Sequence, residues 1–293
     1  MVIATGFFDG VHRGHRFLLR QLTDEASARG DESMVVTFWP HPRNVLQDDA
    51  RNLRLLTSMD EKKALLAEAG VDHVEVIHFS REFAALSTEQ YLRDYVIGRF
   101  GGRAILLGYD NRIGSDLCTP LRTAEIAESL GLDVVMEKSL SSEEGTVISS
   151  TKIRNLLASG NISGANDMLG YGYRLHGVVV SGNRLGRTIG FPTANMQLYE
   201  PLKLVPGRGV YLVDVETLGR KLHGMCNVGV RPTVGSGNAM TIETNIFGFD
   251  EDIYGLDISL TFREKIRDEV RFDDFSMLAE QLEADREKCL SLI

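Results

Sequence analysis

The chain has 293 residues, of which 43% are hydrophobic and 25% charged, an ordinary globular usage that excludes a disordered or fibrous protein. Its length suggests about two domains. Thirty-two Lys and Arg against 41 Asp and Glu leave a net charge of −9, which argues against a general nucleic-acid binder, since that needs a basic face. Three cysteines, Cys118, Cys226 and Cys289, form no CxxC pair, so neither a disulfide scaffold nor a zinc finger is expected and a cytoplasmic setting fits best. No apolar run reaches the roughly 18 residues of a membrane helix, and no signal peptide precedes the first strand, so no membrane partner is expected.

In chain order, residues 1–4 (MVIA) read as a strand. Leu18, Leu19, Leu22 and Ala26 then recur at helical spacing, with Gly30 as the C-terminal stop. Residues 34–39 (MVVTFW) are the next strand, and residues 60–69 (DEKKALLAEA) a helix closed by Gly70. Further strands are expected at 74–79, 103–108 and 132–136. Strands separated by helices predict a doubly wound parallel sheet covered on both faces, with ligands at the carboxyl ends of its strands.

A short helix (KIRNLLAS) ends at Gly160, and a second short helical stretch follows. From residue 172 glycines become frequent and strands follow one another without helices, at 174–180, 209–215, 222–228, 241–247 and 257–262. Five or six short strands of this kind predict a small antiparallel β-barrel. Leu278, Leu282, Asp285, Cys289 and Leu292 close the chain as one amphipathic helix. The expected division is therefore an α/β domain over residues 1–155, a linker over 156–172 and a barrel domain over 173–293.

Three stretches carry chemistry. In GFFDGVHRGH, residues 6–15, His12 and His15 fall on one face of a helix start, and Gly14 between them lets a ligand approach the backbone. Unpaired N–H groups and the helix field favour an anion there, although the same residues also read as two solvated histidines in a polar turn. In ISSTKIR, residues 148–154, the hydroxyls of Ser149, Ser150 and Thr151 precede Lys152 and Arg154. They suit a triphosphate, or equally an N-cap followed by a surface basic pair. In the run from Gly182 to Asn195, glycines at 182, 186 and 190 allow close approach to a phosphate. Thr193 and Asn195, alternate residues of an extended segment, each present an oxygen that could hold Mg²⁺. A Gly-rich turn leading into a strand reads the same run without any ligand. His73, His78, His176 and His223 sit in strand-like contexts without paired ligands, and Trp39 could stack on a flavin or belong to the core.

Taken together, GFFDGVHRGH and ISSTKIR resemble the HxGH nucleotidyltransferase superfamily, and within it the prokaryotic bifunctional riboflavin kinase/FMN adenylyltransferases, the bacterial FAD synthetases. TFWPHP at 37–42 resembles that family's second motif and GYDNRIG at 108–114 its third. GRTIGFPTAN, the GVY at 209–211, NVGVRPT at 227–233, IETN at 242–245, IYG at 253–255 and IRDEVRF at 266–272 resemble the riboflavin kinase signature in family order. The resemblance implies that Gly6, Phe8, Gly14, His12, His15, Ser149, Ser150, Thr151, Lys152 and Arg154 hold ATP in the first domain. It places His41, Pro42, Asp110 and Asn111 around the flavin. In the barrel it implies ATP at Gly182, Gly186, Arg187 and Gly190, Mg²⁺ at Thr193 and Asn195, flavin under Arg267, and Glu243 as general base toward the ribityl 5′-hydroxyl. The expected substrates are riboflavin, FMN and ATP. Phe7, Asn111 and Ile113 differ from the family's usual residues, so a riboflavin kinase with a degenerate adenylylating domain stands as the alternative. A nucleotidyltransferase acting on another phosphorylated acceptor and a non-catalytic flavin sensor are the remaining readings.

Overall fold

The computed structural model describes residues 1–46, 53–138, 148–182, 186, 190–232, 238–272 and 274–293. The chain forms two compact units, Met1–Ser149 and Ser150–Ile293.

In the first unit, β1 (Val2–Thr5), β2 (Ser33–Trp39), β3 (His73–His78), β4 (Ala104–Leu107) and β5 (Asp133–Met136) form a parallel sheet in the order β3-β2-β1-β4-β5. The strand period of two sends neighbouring side chains to opposite faces. Val2 and Ala4 pack with Leu18, Leu19, Leu22 and Ala26 of α1 (Arg13–Arg29), whereas Ile3 packs with Met34, Val36 and Val96 on the other side. Both faces are therefore buried, as the continuous apolar runs require. Between β2 and β3 lie α2 (Pro42–Leu46) and α3 (Met59–Glu68), the latter opened by a reciprocal capping box of Ser58 and Glu61. Next come α4 (Arg81–Ala84) and α5 (Thr88–Tyr91), which runs into a π-helical segment, Leu92–Arg99; α6 (Pro120–Ser129) follows β4. The chain moves outward from β1 on one side and from β4 on the other. The crevice between the carboxyl ends of those two strands is thus the topological switch point, where doubly wound sheets bind ligands.

The second unit opens with α7 (Ser150–Ser159) and α8 (Ile162–Leu169). The stretch 156–172, expected as a linker, is mostly helical and bonded to the barrel. Gly207 N–H donates to the Leu157 carbonyl at 2.8 Å, and Asn166 Nδ2 to the Phe262 carbonyl at 3.0 Å. The cause is the apolar face of these helices, since Ile153, Leu157, Ile162 and Leu169 are buried. The two units consequently divide before α7 rather than within it.

Six antiparallel strands close the barrel in the order β10-β7-β6-β11-β8-β9. They are β6 (Arg174–Val180), β7 (Ala194–Leu198), β8 (Gly209–Thr217), β9 (Arg220–Pro232), β10 (Asn238–Ile246) and β11 (Asp257–Arg267). Five correspond to expected strands. The sixth, β7, has the sequence ANMQL, too short and polar for an alternating pattern. The closing helix α9 (Phe275–Leu290) is capped by Asp274, whose carboxylate accepts the N–H groups of Ser276 and Met277.

Candidate active sites

Residues 6–12 form the loop between β1 and α1, at the switch point of the sheet. Phe8 and Val11 have φ of 51° and 35°, a left-handed conformation that costs a side-chain-bearing residue about 1–2 kcal/mol. The loop is held by Asp9. Its carboxylate accepts the N–H groups of Leu56 and Thr57 and the Thr57 hydroxyl at 3.0–3.1 Å, and Gly10 N–H donates to Thr57 Oγ1 at 3.2 Å. The Phe8 ring folds over Gly6, where a Cβ would come within 3.0 Å of it.

His12 is the N-cap of α1, and its Nδ1 accepts the His15 N–H at 3.2 Å. With Nδ1 as acceptor, the ring's proton is on Nε2. The two rings stack 3.6 Å apart and 15° from parallel. Gly14 makes room for the stack, because a Cβ there would lie 3.2 Å from the His12 ring and 3.9 Å from the Ile148 carbonyl oxygen. Burial, then His12, then Lys62 holds the His15 imidazole well below its usual value, so it is neutral at pH 7. Its Nδ1 is buried with no hydrogen-bond partner. The result is two stacked imidazoles, that of His15 neutral, at a helix N-terminus, a field that favours phosphate oxygens.

Two further expected groups flank this loop. His41 accepts the Arg43 N–H at Nδ1, 3.1 Å, and its ring meets Phe7 edge-on at 3.9 Å. Pro42 is the first residue of α2. From the other side, half-buried Asn111 donates to the Thr5 carbonyl at 3.3 Å, tying the loop after β4 to the end of β1, while Asp110 beside it is exposed. Ile148 is thus set beside Gly14; Ser149 ends the first unit, and Ser150, Thr151, Lys152 and Arg154 form the start of α7.

In the second unit a cavity of about 250 Å³ is lined by four expected residues, Gly186, Thr193, Glu243 and Arg267. Glu243 on β10 pairs with Asn195 on β7 and with Asn227 on β9, so these polar residues form one row across three strands. Asn195 lies over Gly182, where a Cβ would overlap its amide at 2.4 Å. Phe191 N–H donates to the Gly186 carbonyl at 2.8 Å, and Gly190 between them has a φ of 83°. A second cavity of similar size, bordered by Asp250 and Tyr254, also includes Thr193, so that residue stands between the two. Arg187, with the rest of 183–185 and 187–189, and Thr233 lie outside the described residues.

Arg267, expected on the flavin side, lines the Glu243 cavity and is also ion-paired. Its Nε lies 2.9 Å from both oxygens of Asp285 on α9, and its Nη1 donates to the Asp268 carbonyl. Asp285 is 2% exposed and also accepts Gln281 Nε2 at 2.9 Å. The guanidinium thereby ties β11 to α9, whose Phe275, Leu278 and Leu282 also line the cavity.

Sequence reasoning did not single out three residues that the structure places beside these expected groups. Lys62 is fully buried against Phe7, Asn245 donates to the Pro192 carbonyl at 2.7 Å, and Asp285 holds Arg267. The signal for Lys62 was its place four residues before the buried Leu66, on the apolar stripe of α3.

The FAD synthetase family model matches residues 1–152, and the riboflavin kinase family model matches residues 169–293. The chain is 38% identical over 286 residues to the bifunctional riboflavin kinase/FMN adenylyltransferase of Escherichia coli, covering 97% of this chain and 90% of that protein. It is 34% identical over 293 residues to the protein of the same description from Bacillus subtilis, covering 99% and 91%. A solved structure described as a macrolide-efflux protein from Streptococcus pneumoniae superposes with a TM-score of 0.89 at 34% identity, covering 98% of this chain and 92% of that one. Among the described residues no helix is long and apolar enough to cross a membrane.

Proposed function

The chain belongs to the family of bifunctional riboflavin kinase/FMN adenylyltransferases, and from that premise we propose how its residues divide the two reactions. The second unit phosphorylates riboflavin to FMN, and the first converts FMN to FAD.

In the barrel, riboflavin occupies the cavity that holds Glu243, with its ring system against Phe275, Leu278 and Leu282 of α9. Glu243 takes the proton of the ribityl 5′-hydroxyl as that oxygen attacks the γ-phosphorus of ATP, and ADP leaves. The phosphates approach along Gly182, Gly186, Arg187 and Gly190. The donor set of the Thr193 hydroxyl, the Asn195 amide and the adjoining Glu243 carboxylate is all oxygen, which suits Mg²⁺. The ion would be held by Thr193 and Asn195 and would neutralise phosphate charge. The observation that carries this reading is the single row Asn195–Glu243–Asn227 beside the cavity.

In the first unit, an FMN phosphate oxygen attacks the α-phosphorus of a second ATP, and pyrophosphate leaves. No protein nucleophile is involved; positioning and charge neutralisation lower the barrier. His12 and His15 donate to the phosphate oxygens at the start of α1, with Gly6, Phe8 and Gly14 shaping the loop. Ser149, Ser150, Thr151, Lys152 and Arg154 bind the triphosphate, and His41, Pro42, Asp110 and Asn111 lie on the flavin side. Three unpaired cysteines, with burial pushing the Cys226 thiol up to about 12 and Cys289 up to about 11, suit the reducing cytoplasm.

The test is one incubation with riboflavin, ATP and Mg²⁺, the flavins being separated by chromatography over time. FMN appearing first and FAD later is the expected course. FMN accumulating without FAD would show the adenylylating half to be inactive.

A further inference from the structure

Lys62 is 1% exposed, yet among the described residues its ammonium has no ion pair and no hydrogen bond. It belongs to the first turn of α3, four residues after the cap Ser58, where the helix field opposes a cation. Its Nζ lies over an aromatic face, 3.6 Å from the centroid of Phe7 in the loop between β1 and α1. The charged or titratable groups facing it are Asp9, already bonded to Leu56 and Thr57, and His15. A buried cation without a bonded partner costs stability, and Asp9 compensates it only in part, since burial still pushes the ammonium down to about 8. Fold stability therefore gives no reason for a lysine here.

A second polar group in the same place is also without a partner. His15 Nδ1 is buried and makes no hydrogen bond. A cation and a ring nitrogen, both unsatisfied, converge on the loop whose helix N-terminus already favours an anion. We propose that Lys62 is a further phosphate-binding residue of the adenylyl-transfer site, its ammonium kept over Phe7 until the phosphate oxygens of nucleotide or departing pyrophosphate replace the ring as its partner. The inference rests on the reading that His12 and His15 form that site.

The experiment compares Lys62→Met, Lys62→Arg and His15→Ala in the full chain. It measures FMN-to-FAD conversion against pH, binding of inorganic pyrophosphate, and thermal unfolding followed by the fluorescence of Trp39, the one tryptophan of the chain. Lys62→Met should lower FAD formation by about 10²-fold, the effect of removing one preorganised electrostatic group. It should also weaken pyrophosphate binding, while unfolding at the same or a higher temperature because a buried charge is gone. The wild-type rate should fall as pH rises through about 8. In Lys62→Arg that decline should disappear from the accessible range, because a guanidinium stays charged. FAD formation by Lys62→Met at the wild-type rate overturns the proposal. So does an activity loss accompanied by a lower unfolding temperature and an unchanged pH profile in Lys62→Arg. If His15→Ala also makes FAD normally, the assignment of the site itself has failed; if only His15→Ala is inactive, the failure belongs to Lys62 alone.

Discussion

The side-chain amide of Asn245 donates a 2.7 Å hydrogen bond to the carbonyl oxygen of Pro192. Asn245 stands two residues beyond Glu243 on β10, so both face the same cavity, while Pro192 immediately precedes Thr193. The strand that carries the proposed base thus also fixes the segment that carries the proposed Mg²⁺ ligands. Asn245→Ala removes this bond to the exposed Pro192, a change worth about 0.5–1.5 kcal/mol. Its expected signature is a raised KM for Mg-ATP in riboflavin phosphorylation with FMN-to-FAD conversion untouched. Wild-type steady-state kinetics in the variant would reduce the contact to scaffolding.

The two chemistries should separate by mutation. His15→Ala is expected to abolish conversion of supplied FMN to FAD and to spare riboflavin phosphorylation; Glu243→Gln is expected to do the reverse. Chromatographic assay of each half-reaction decides it. Loss of both activities from one substitution in a folded chain contradicts the assignment of two sites.

The state of His15 predicts a pH dependence of stability. The native imidazole resists protonation because it is buried beside His12 and Lys62. An unfolded histidine takes a proton near pH 6.5. Below that pH the unfolded state binds more protons, so stability falls as pH falls, by at most about 1.4 kcal/mol per pH unit; above it the histidine has no effect. Urea unfolding followed by Trp39 fluorescence between pH 7 and 5 should show this slope, and His15→Gln should flatten it. Equal slopes in the two proteins would mean that the native ring takes up its proton over the same pH range as the unfolded one.

The Arg267–Asp285 pair predicts non-additive behaviour. Arg267→Met leaves the buried Asp285 carboxylate with Gln281 as its remaining side-chain partner, and breaking one half of such a pair typically costs about 3–5 kcal/mol. Replacing both, with Asp285→Leu added, removes the stranded charge and should recover most of the loss. The urea concentration at which riboflavin phosphorylation disappears measures both. A double variant as weak as the single one would show that the charge is not what docks α9.

Much of the architecture was legible because it is written in local periodicity. The apolar runs of β1 and β2, the helical spacing of α1 and the glycine that ends it all correspond to the structure. His12 and His15 were readable as a pair because three residues bring side chains together at a helix start. What was not legible depends on partners distant in the chain. Neighbouring strands in the sheet are not encoded by any one segment, and β7 carries too weak an alternation to stand out. That Arg267 also pairs with Asp285, 18 residues further on, depends on a helix that folds back to meet it. Lys62 sits in the run DEKKALLAEA, where its spacing to Leu66 marks the apolar stripe, but nothing in that run shows that Phe7, from the loop of another element, covers it.

With Glu243 as the proposed base, the row formed by Asn195, Glu243 and Asn227 would make catalysis a gauge of strand registration. A slip of β10 by one residue would turn Glu243 to the opposite face and offer Ile242 or Thr244 in its place. Such a barrel would keep its strand content and its closed shape, and a dichroism spectrum would pass it as native. On the proposed role of Glu243 it would transfer no phosphate, so recovery of riboflavin phosphorylation after refolding would report the correct meeting of β7, β10 and β9 more sharply than any measure of secondary structure.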